Sequence, residues 1–212
     1  MMNDIDLWFE DECHFQQHGS RCAMWIPPED TDPVVLQEPT RKSIGILGAV
    51  RIADGCLVTN REKTFNTMTF LNFMEKLLPF RRPDRKMVLI LDNARWHHAK
   101  ALTPWLMEHQ DIFQLDYLPP YSPDLNNIER VWKLTRKLCT HNRYFALLED
   151  IAEAVFHQFN IWSNLMTPCT DYPQLVKTLC ILSLRNHRCL QPVRGGMDGS
   201  PPGTCLPGSE TD

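Results

Sequence analysis

The chain has 212 residues, 43% hydrophobic and 23% charged, which is enough for one domain with a full core and too apolar for a disordered polymer. No apolar run approaches the length of a membrane-spanning helix, and the acidic opening MMNDIDLWFEDE lacks the basic-then-apolar order of a secretory signal, so no membrane partner is expected. The net charge of −4 is unevenly placed: residues 1–40 carry one Arg against nine acids, whereas residues 41–143 carry seventeen Lys and Arg against ten, and that basic middle suits an anionic polymer as well as it suits an ordinary mixed surface.

IDLWFEDECHF (5–15) reads as a strand. Parity sets Ile5, Leu7, Phe9 and Asp11 on one face and Asp6, Trp8, Glu10 and Glu12 on the other, so Asp11 extends the apolar face while Glu10 and Glu12 read as exposed. A carboxylate on an apolar face requires a partner. Residues 27–42 are rich in Pro and charge and read as a loop. SIGILGAVRI and CLVT are β-like and flank the turn signal ADG. FNTMTFLNFMEKLLPF (65–80) places Phe70, Phe73, Met74, Leu77 and Leu78 at helical spacing, and Pro79 ends it. That stripe is core rather than a cofactor box.

RRPDRK (81–86) is a basic loop, and MVLIL (87–91) is a strand fit for burial on both faces, ending at Asp92. NARWHHAK follows, then a short helix in ALTPWLMEH, a strand in IFQLDYL, and the stiff turn LPPYSPDLNNIERVW. The next helix takes Ile128, Val131, Trp132, Thr135 and Leu138 as its packing stripe, with Asn126 or Asn127 as cap. Glu129, Lys133, Arg136 and Lys137 share another face. A last amphipathic helix covers about 146–163, with Leu148, Ile151, Val155, Phe159 and Trp162 on its stripe. From residue 191 the chain turns to Gly and Pro and reads as disordered. Strand, hairpin, helix, strand, helix, strand, helix predicts an α/β domain with a mixed central sheet flanked by helices.

Three acids stand out. Asp11 lies on the apolar face of the first strand. Asp92 sits at the carboxyl end of the buried strand, where open α/β sheets gather ligands. Glu129 lies in the first turn of a helix behind a stiff turn. Each alone has a plain reading: a strand-end acid, a cap for the following helix, a helix-start acid paired with Lys133. Together, and followed by cations on one helix face, they suit phosphodiester cleavage, with acids holding metal and cations meeting phosphate oxygens. Clustered acids repel unless cations offset them, and hard oxygen donors favour two Mg²⁺ or Mn²⁺ ions over zinc. The eight cysteines form no C-x-x-C pair and read as reduced thiols of a cytoplasmic protein.

FEDECHF, LILDNARWHHAK and LPPYSPDLNNIERVWKL resemble, in that order, the motifs of the bacterial insertion-sequence branch of the mariner-like DDE transposases. The resemblance covers roughly residues 4–180, and 36 residues separate Asp92 from Glu129, in keeping with that family. It implies a ribonuclease H-like fold over residues 1–180, with residues 181–212 as a tail. It implies that Asp11, Asp92 and Glu129 are the catalytic, metal-binding acids, and that the substrate is double-stranded DNA at transposon ends and target, cut and then joined through a 3′-hydroxyl. Arg130, Lys133, Arg136 and Lys137 are then candidates for DNA contact. His97 matches the family's histidine and would contact a phosphate or steady the site, with a plain surface histidine at a helix start as the equal alternative. Asn93 would brace the loop and Trp132 would hold the helix; Asp124 is the nearest rival for the acid role, but a Ser-Pro-Asp bend gives it the work of an Asx-type turn instead. The resemblance is compatible with a homodimer, although no interface is legible in the sequence, and the family normally carries an upstream helix-turn-helix region. Only ten residues precede Asp11, so a split or truncated frame is expected, and Asn127 replaces the common proline. A remnant that binds DNA without cutting it, a nuclease for RNA–DNA hybrids, and a purely structural domain are the rival readings.

Overall fold

The computed structural model describes residues 5–24, 34, 36–120 and 122–165; the boundary expected near residue 180 and the Gly/Pro-rich tail lie outside these residues. Five strands form one mixed sheet in the order β3-β2-β1-β4-β5. Strand β1 (Ile5–Gln16) is central, antiparallel to β2 (Ser43–Arg51) and parallel to β4 (Lys86–Leu91). β2 continues into β3 (Leu57–Glu62) through a turn in which Gly55 takes a φ of 76°, and β5 (Phe113–Tyr117) pairs parallel to β4 at the other edge.

Helices cover both faces. On one lie α1 (Thr67–Leu77) and α2 (Thr103–Glu108), and on the other α3 (Ile128–Thr135) and α4 (Leu148–Leu165). Helix α1 starts where Asn66 accepts from the Met68 and Thr69 amides while the Thr69 hydroxyl accepts from the Asn66 amide, a reciprocal cap. Its Phe70, Phe73, Met74 and Leu77 join Trp8, Leu47, Ala49 and Leu89 in one core. The second core joins Phe9, Phe15, Ile44, Ile46 and Val50 to Ile128, Val131 and Trp132 of α3 and to Ile151, Val155, Phe159 and Trp162 of α4. Alternation along β1 therefore sends Phe9, Asp11, Cys13 and Phe15 toward α3, and Trp8, Glu10 and Glu12 toward α1.

The structure corrects several expectations. Glu10 and Glu12 are not exposed: Glu10 is 0% exposed, because a central strand is covered on both faces. Leu138 is exposed and Cys139 is buried in its place, because residues Arg136–Thr140 form a π-turn that shifts the helical stripe by one position. Neither Asn126 nor Asn127 caps α3 through its side chain; Asn127 holds the cap position without a side-chain hydrogen bond, and the Asn126 amide is drawn away to β1. Asp124 sits exposed in a 3-10 turn (Pro123–Leu125) closed by the Leu125 amide donating to the Ser122 carbonyl.

Candidate active site

Asp11, Asp92 and Glu129 line one cleft of about 530 Å³, together with Asn93, Pro119, Pro120, Ser122 and Asn126. The sheet explains the convergence. Asp11 projects from β1 toward α3, the parallel neighbour β4 ends immediately before Asp92, and the turn after β5 crosses over to start α3 with Glu129 in its first turn.

Several bonds fix these acids in place. The Trp132 indole donates to Asp11 Oδ2 at 3.1 Å, so one ring of α3 both fills the core and grips the first acid. Asn126 Nδ2 donates to the Glu10 carbonyl at 2.9 Å, tying the start of α3 to the strand that carries Asp11. Asp92 Oδ1 accepts from the Ala94 amide at 2.8 Å, and Asn93 Nδ2 donates to the Leu118 carbonyl at 2.6 Å, stitching the β4 loop to the turn after β5. The ion pairs among the described residues do not include one from Glu129 to Lys133.

The site is short of positive charge. Burial, then Glu129 and Glu12, push the Asp11 carboxyl up to about 7, although the Trp132 hydrogen bond and the Glu12 backbone pull it down. Behind it, burial and then Glu12, Asp11 and Asp92 raise Glu10 well above the usual carboxylate range. No Lys or Arg lines the cleft among the described residues. Three converging carboxylates with no side-chain cation among them fit a hard divalent ion, and all their donors are oxygen.

Among the residues considered for DNA contact, Arg130, Lys133 and Lys137 are exposed on and just beyond α3. Arg136 is half-buried, with its guanidinium 2.9 Å from Cys13 Sγ and over the Phe15 ring. His97 is 2% exposed, so its ring lies inside the fold rather than on the surface. Its Nδ1 lies 3.2 Å from both the Asp92 carbonyl and Asp92 Oδ1, while Tyr117 donates to the His97 carbonyl at 2.9 Å. Sequence reasoning missed Glu10, Glu12 and Trp96, whose indole donates to Glu12 at 3.0 Å. Trp8, on the same face of β1, was the signal that this face is covered.

The mixed five-stranded sheet, with Asp11 on its central strand, Asp92 just past β4 and Glu129 at the start of α3, defines the ribonuclease H-like class of fold. Within that class the chain belongs to the DDE superfamily endonuclease family, whose family model matches residues 6–152. It is 24% identical over 151 residues to the insertion element IS630 uncharacterized 39 kDa protein of Shigella sonnei, covering 71% of this chain and 43% of that one. It is 42% identical over 79 residues to the uncharacterized protein y4pE/y4sA of Sinorhizobium fredii (strain NBRC 101917 / NGR234), covering 37% and 53%. Thus the chain spans about half the length of the curated relatives it matches. The fold is similar to that of Mos1 transposase in its paired-end complex with left transposon end, at a TM-score of 0.59 and 17% identity over 87% of this chain and 54% of that one. The Mos1 mariner paired end complex with Mn gives 0.57 and 16% over the same shares.

Proposed function

We propose that this chain is the catalytic domain of an insertion-sequence transposase, which cleaves double-stranded DNA at transposon ends and joins the freed 3′-hydroxyl to target DNA. The observation that carries the reading is the meeting of Asp11, Asp92 and Glu129 in one cleft of a DDE-family chain. Asp11, Asp92 and Glu129 would hold two divalent ions, Mg²⁺ or Mn²⁺, which would supply Lewis acidity toward the attacking and leaving oxygens of a phosphodiester. The neighbour solved with Mn supports that choice of ion.

The chain's own residues set the conditions for this chemistry. Asp11 is buried and oriented by Trp132, so it presents one fixed oxygen edge to the cleft. Asn93 ties the Asp92 loop to the prolines that wall the cleft, which limits how a DNA strand enters. Arg130, Lys133 and Lys137 offer exposed cations beside Glu129 for the phosphate backbone, an attraction that weakens as salt rises. The paired-end arrangement of Mos1 supports a homodimer as the acting form.

Nicking of supercoiled plasmid at low salt with Mn²⁺ tests the reading. The wild-type chain is expected to nick, and Glu129→Ala and Asp92→Ala to fall to background. Equal nicking by wild type and Glu129→Ala would sink the assignment. DNA binding that survives Asp92→Ala, with no cleavage by the wild type, would move the chain to the binding-only remnant.

A further inference from the structure

On the other face of β1, with its back to the catalytic cleft, Glu10, Glu12 and His97 point at one another. They come from alternate positions of β1 and from the 3-10 turn Arg95–His98 that crosses above it. One ligand atom from each lies within 4.8 Å of the others. His97 Nε2 is 3.5 Å from Glu12 Oε1 and 3.8 Å from Glu10 Oε2.

Two acids near a histidine are common, and by themselves they prove nothing. Glu10 makes this cluster different. Its side chain is 0% exposed, and among the described residues neither carboxylate oxygen has a hydrogen-bond partner. A buried carboxylate with both oxygens unmatched is among the costliest arrangements a core can hold, and proteins resolve it with a proton or a cation. Here Oε2 faces an imidazole nitrogen and a second carboxylate, which are ligands rather than donors.

We propose that Glu10, Glu12 and His97 form a second divalent-cation site, for a first-row ion such as Mn²⁺ or Zn²⁺, on the α1 face of the sheet behind the Asp11–Asp92–Glu129 cleft. Two carboxylate oxygens and one imidazole nitrogen are a donor set for such ions, whereas the all-oxygen cleft suits Mg²⁺. Ligands about 2.0–2.2 Å from an ion stand closer together than these three do, so the side chains draw in as it binds. The Trp96 indole, which now donates to Glu12 Oε1 and lies 3.1 Å from His97 Nε2, gives up that place. Phe70 packs against the imidazole with ring centroids 4.4 Å apart and keeps it from turning away.

The site has a consequence for the cleft. With Nε2 occupied, by the indole N–H now or by the ion, the imidazole proton sits on Nδ1, which faces Asp92 Oδ1 and the Asp92 carbonyl. The ion therefore keeps, in place of the indole, the tautomer that steadies Asp92. The binding itself does not rest on the catalytic reading, because none of these three ligands is one of the three acids of the cleft, although His97 touches Asp92 through its other ring nitrogen.

Mn²⁺ is the probe, and a full-length Asp11→Asn, Glu129→Gln variant removes two cleft ligands while leaving the second site whole. Titration followed by electron paramagnetic resonance is expected to show one Mn²⁺ bound per chain, and spin-echo spectra to show modulation from a coupled nitrogen nucleus. Adding Glu12→Gln should weaken that binding by about tenfold or more, and adding His97→Gln should remove the nitrogen modulation. The modulation is read on a chain with His97 and Glu12 intact, so a misfolded variant does not decide the matter. No bound Mn²⁺ in the double variant, or bound Mn²⁺ without nitrogen coupling, would overturn the proposal and leave a proton held in the cluster as the answer. Failure of plasmid nicking by the wild type would bear on the catalytic reading alone.

Discussion

Gly48→Ala should damage the cleft from the far side of the core. Gly48 pairs with Asp11 across β1 and β2, and both project toward α3. A Cβ at Gly48 would lie 2.9 Å from Trp132 Cζ2 and 3.3 Å from Ile128 Cδ1, and closer still to Trp132 Cη2. Carbon atoms settle at about 3.5–4.0 Å. The Trp132 ring is almost wholly buried, with Phe15 edge-on at 6.2 Å and Phe159 at 6.3 Å, so it can yield only by moving on the order of 1 Å with α3. Overpacking of this kind costs about 1–3 kcal/mol, or about 2–12 °C in Tm for a chain of this size. A shift of that order also takes the 3.1 Å bond from Trp132 to Asp11 beyond hydrogen-bond length. Thermal melts and plasmid nicking with Mn²⁺ should both fall, nicking by more than the lost stability explains. Trp132→Phe added to Gly48→Ala removes the clashing ring, so the pair should be non-additive by about 1 kcal/mol or more. Stability should return without the activity, since phenylalanine has no N–H for Asp11. A Gly48→Ala chain that melts and nicks like wild type, or strict additivity in the pair, would refute the packing argument.

Three further outcomes follow from the same geometry. Asp11 titrates near 7 when folded and near about 3.9 when unfolded, so between those values the folded chain holds the extra proton. Stability without divalent ions should therefore fall as pH rises from about 4 to about 7 and level off above; urea unfolding at pH 5 and 8 in chelator measures it, and an unchanged slope in Asp11→Asn would count against the shift. On the proposed reading Mn²⁺ competes with that proton, so its stabilising effect should grow over the same range. Asn126→Ala leaves the buried Glu10 carbonyl without its 2.9 Å donor and should cost about 1–3 kcal/mol, with nicking lost well below the melting temperature; full activity there would show that the tie to β1 is dispensable.

Strand β4 was legible because MVLIL is apolar at every position, and its end marked Asp92. Helix α1 was legible because Phe70, Phe73, Met74 and Leu77 repeat at helical spacing and a proline closes the run. The misreadings share one physical origin: local pattern does not contain what a distant segment does. Alternation in β1 placed Glu10 and Glu12 on a polar face, but α1 and the turn carrying His97, some eighty residues on, lie over it. Asn126 had the chemistry of a cap, yet a backbone carbonyl of β1 outcompeted the helix amides for its side chain. Leu138 continued the stripe of α3 by arithmetic, and the π-turn broke the arithmetic.

The placement of Glu129 depends on β1 as much as on the proline-rich turn before it. That turn walls the cleft and is anchored to Asn93, but three contacts hold α3 itself against β1 and β2: Asn126 on the Glu10 carbonyl, Trp132 on Asp11, and Trp132 with Ile128 in the space that Gly48 leaves open. All three depend on one register, in which Asp11 stands opposite Gly48. A slip of one residue would bring Glu10 or Glu12 opposite Gly48, turn Asp11 to the α1 face, and take its carboxylate away from the indole. The alternation of acids in FEDE is therefore a constraint on the whole cleft: residue 11 must be the acid that faces α3, and residues 10 and 12 must find their charge balance on the other side.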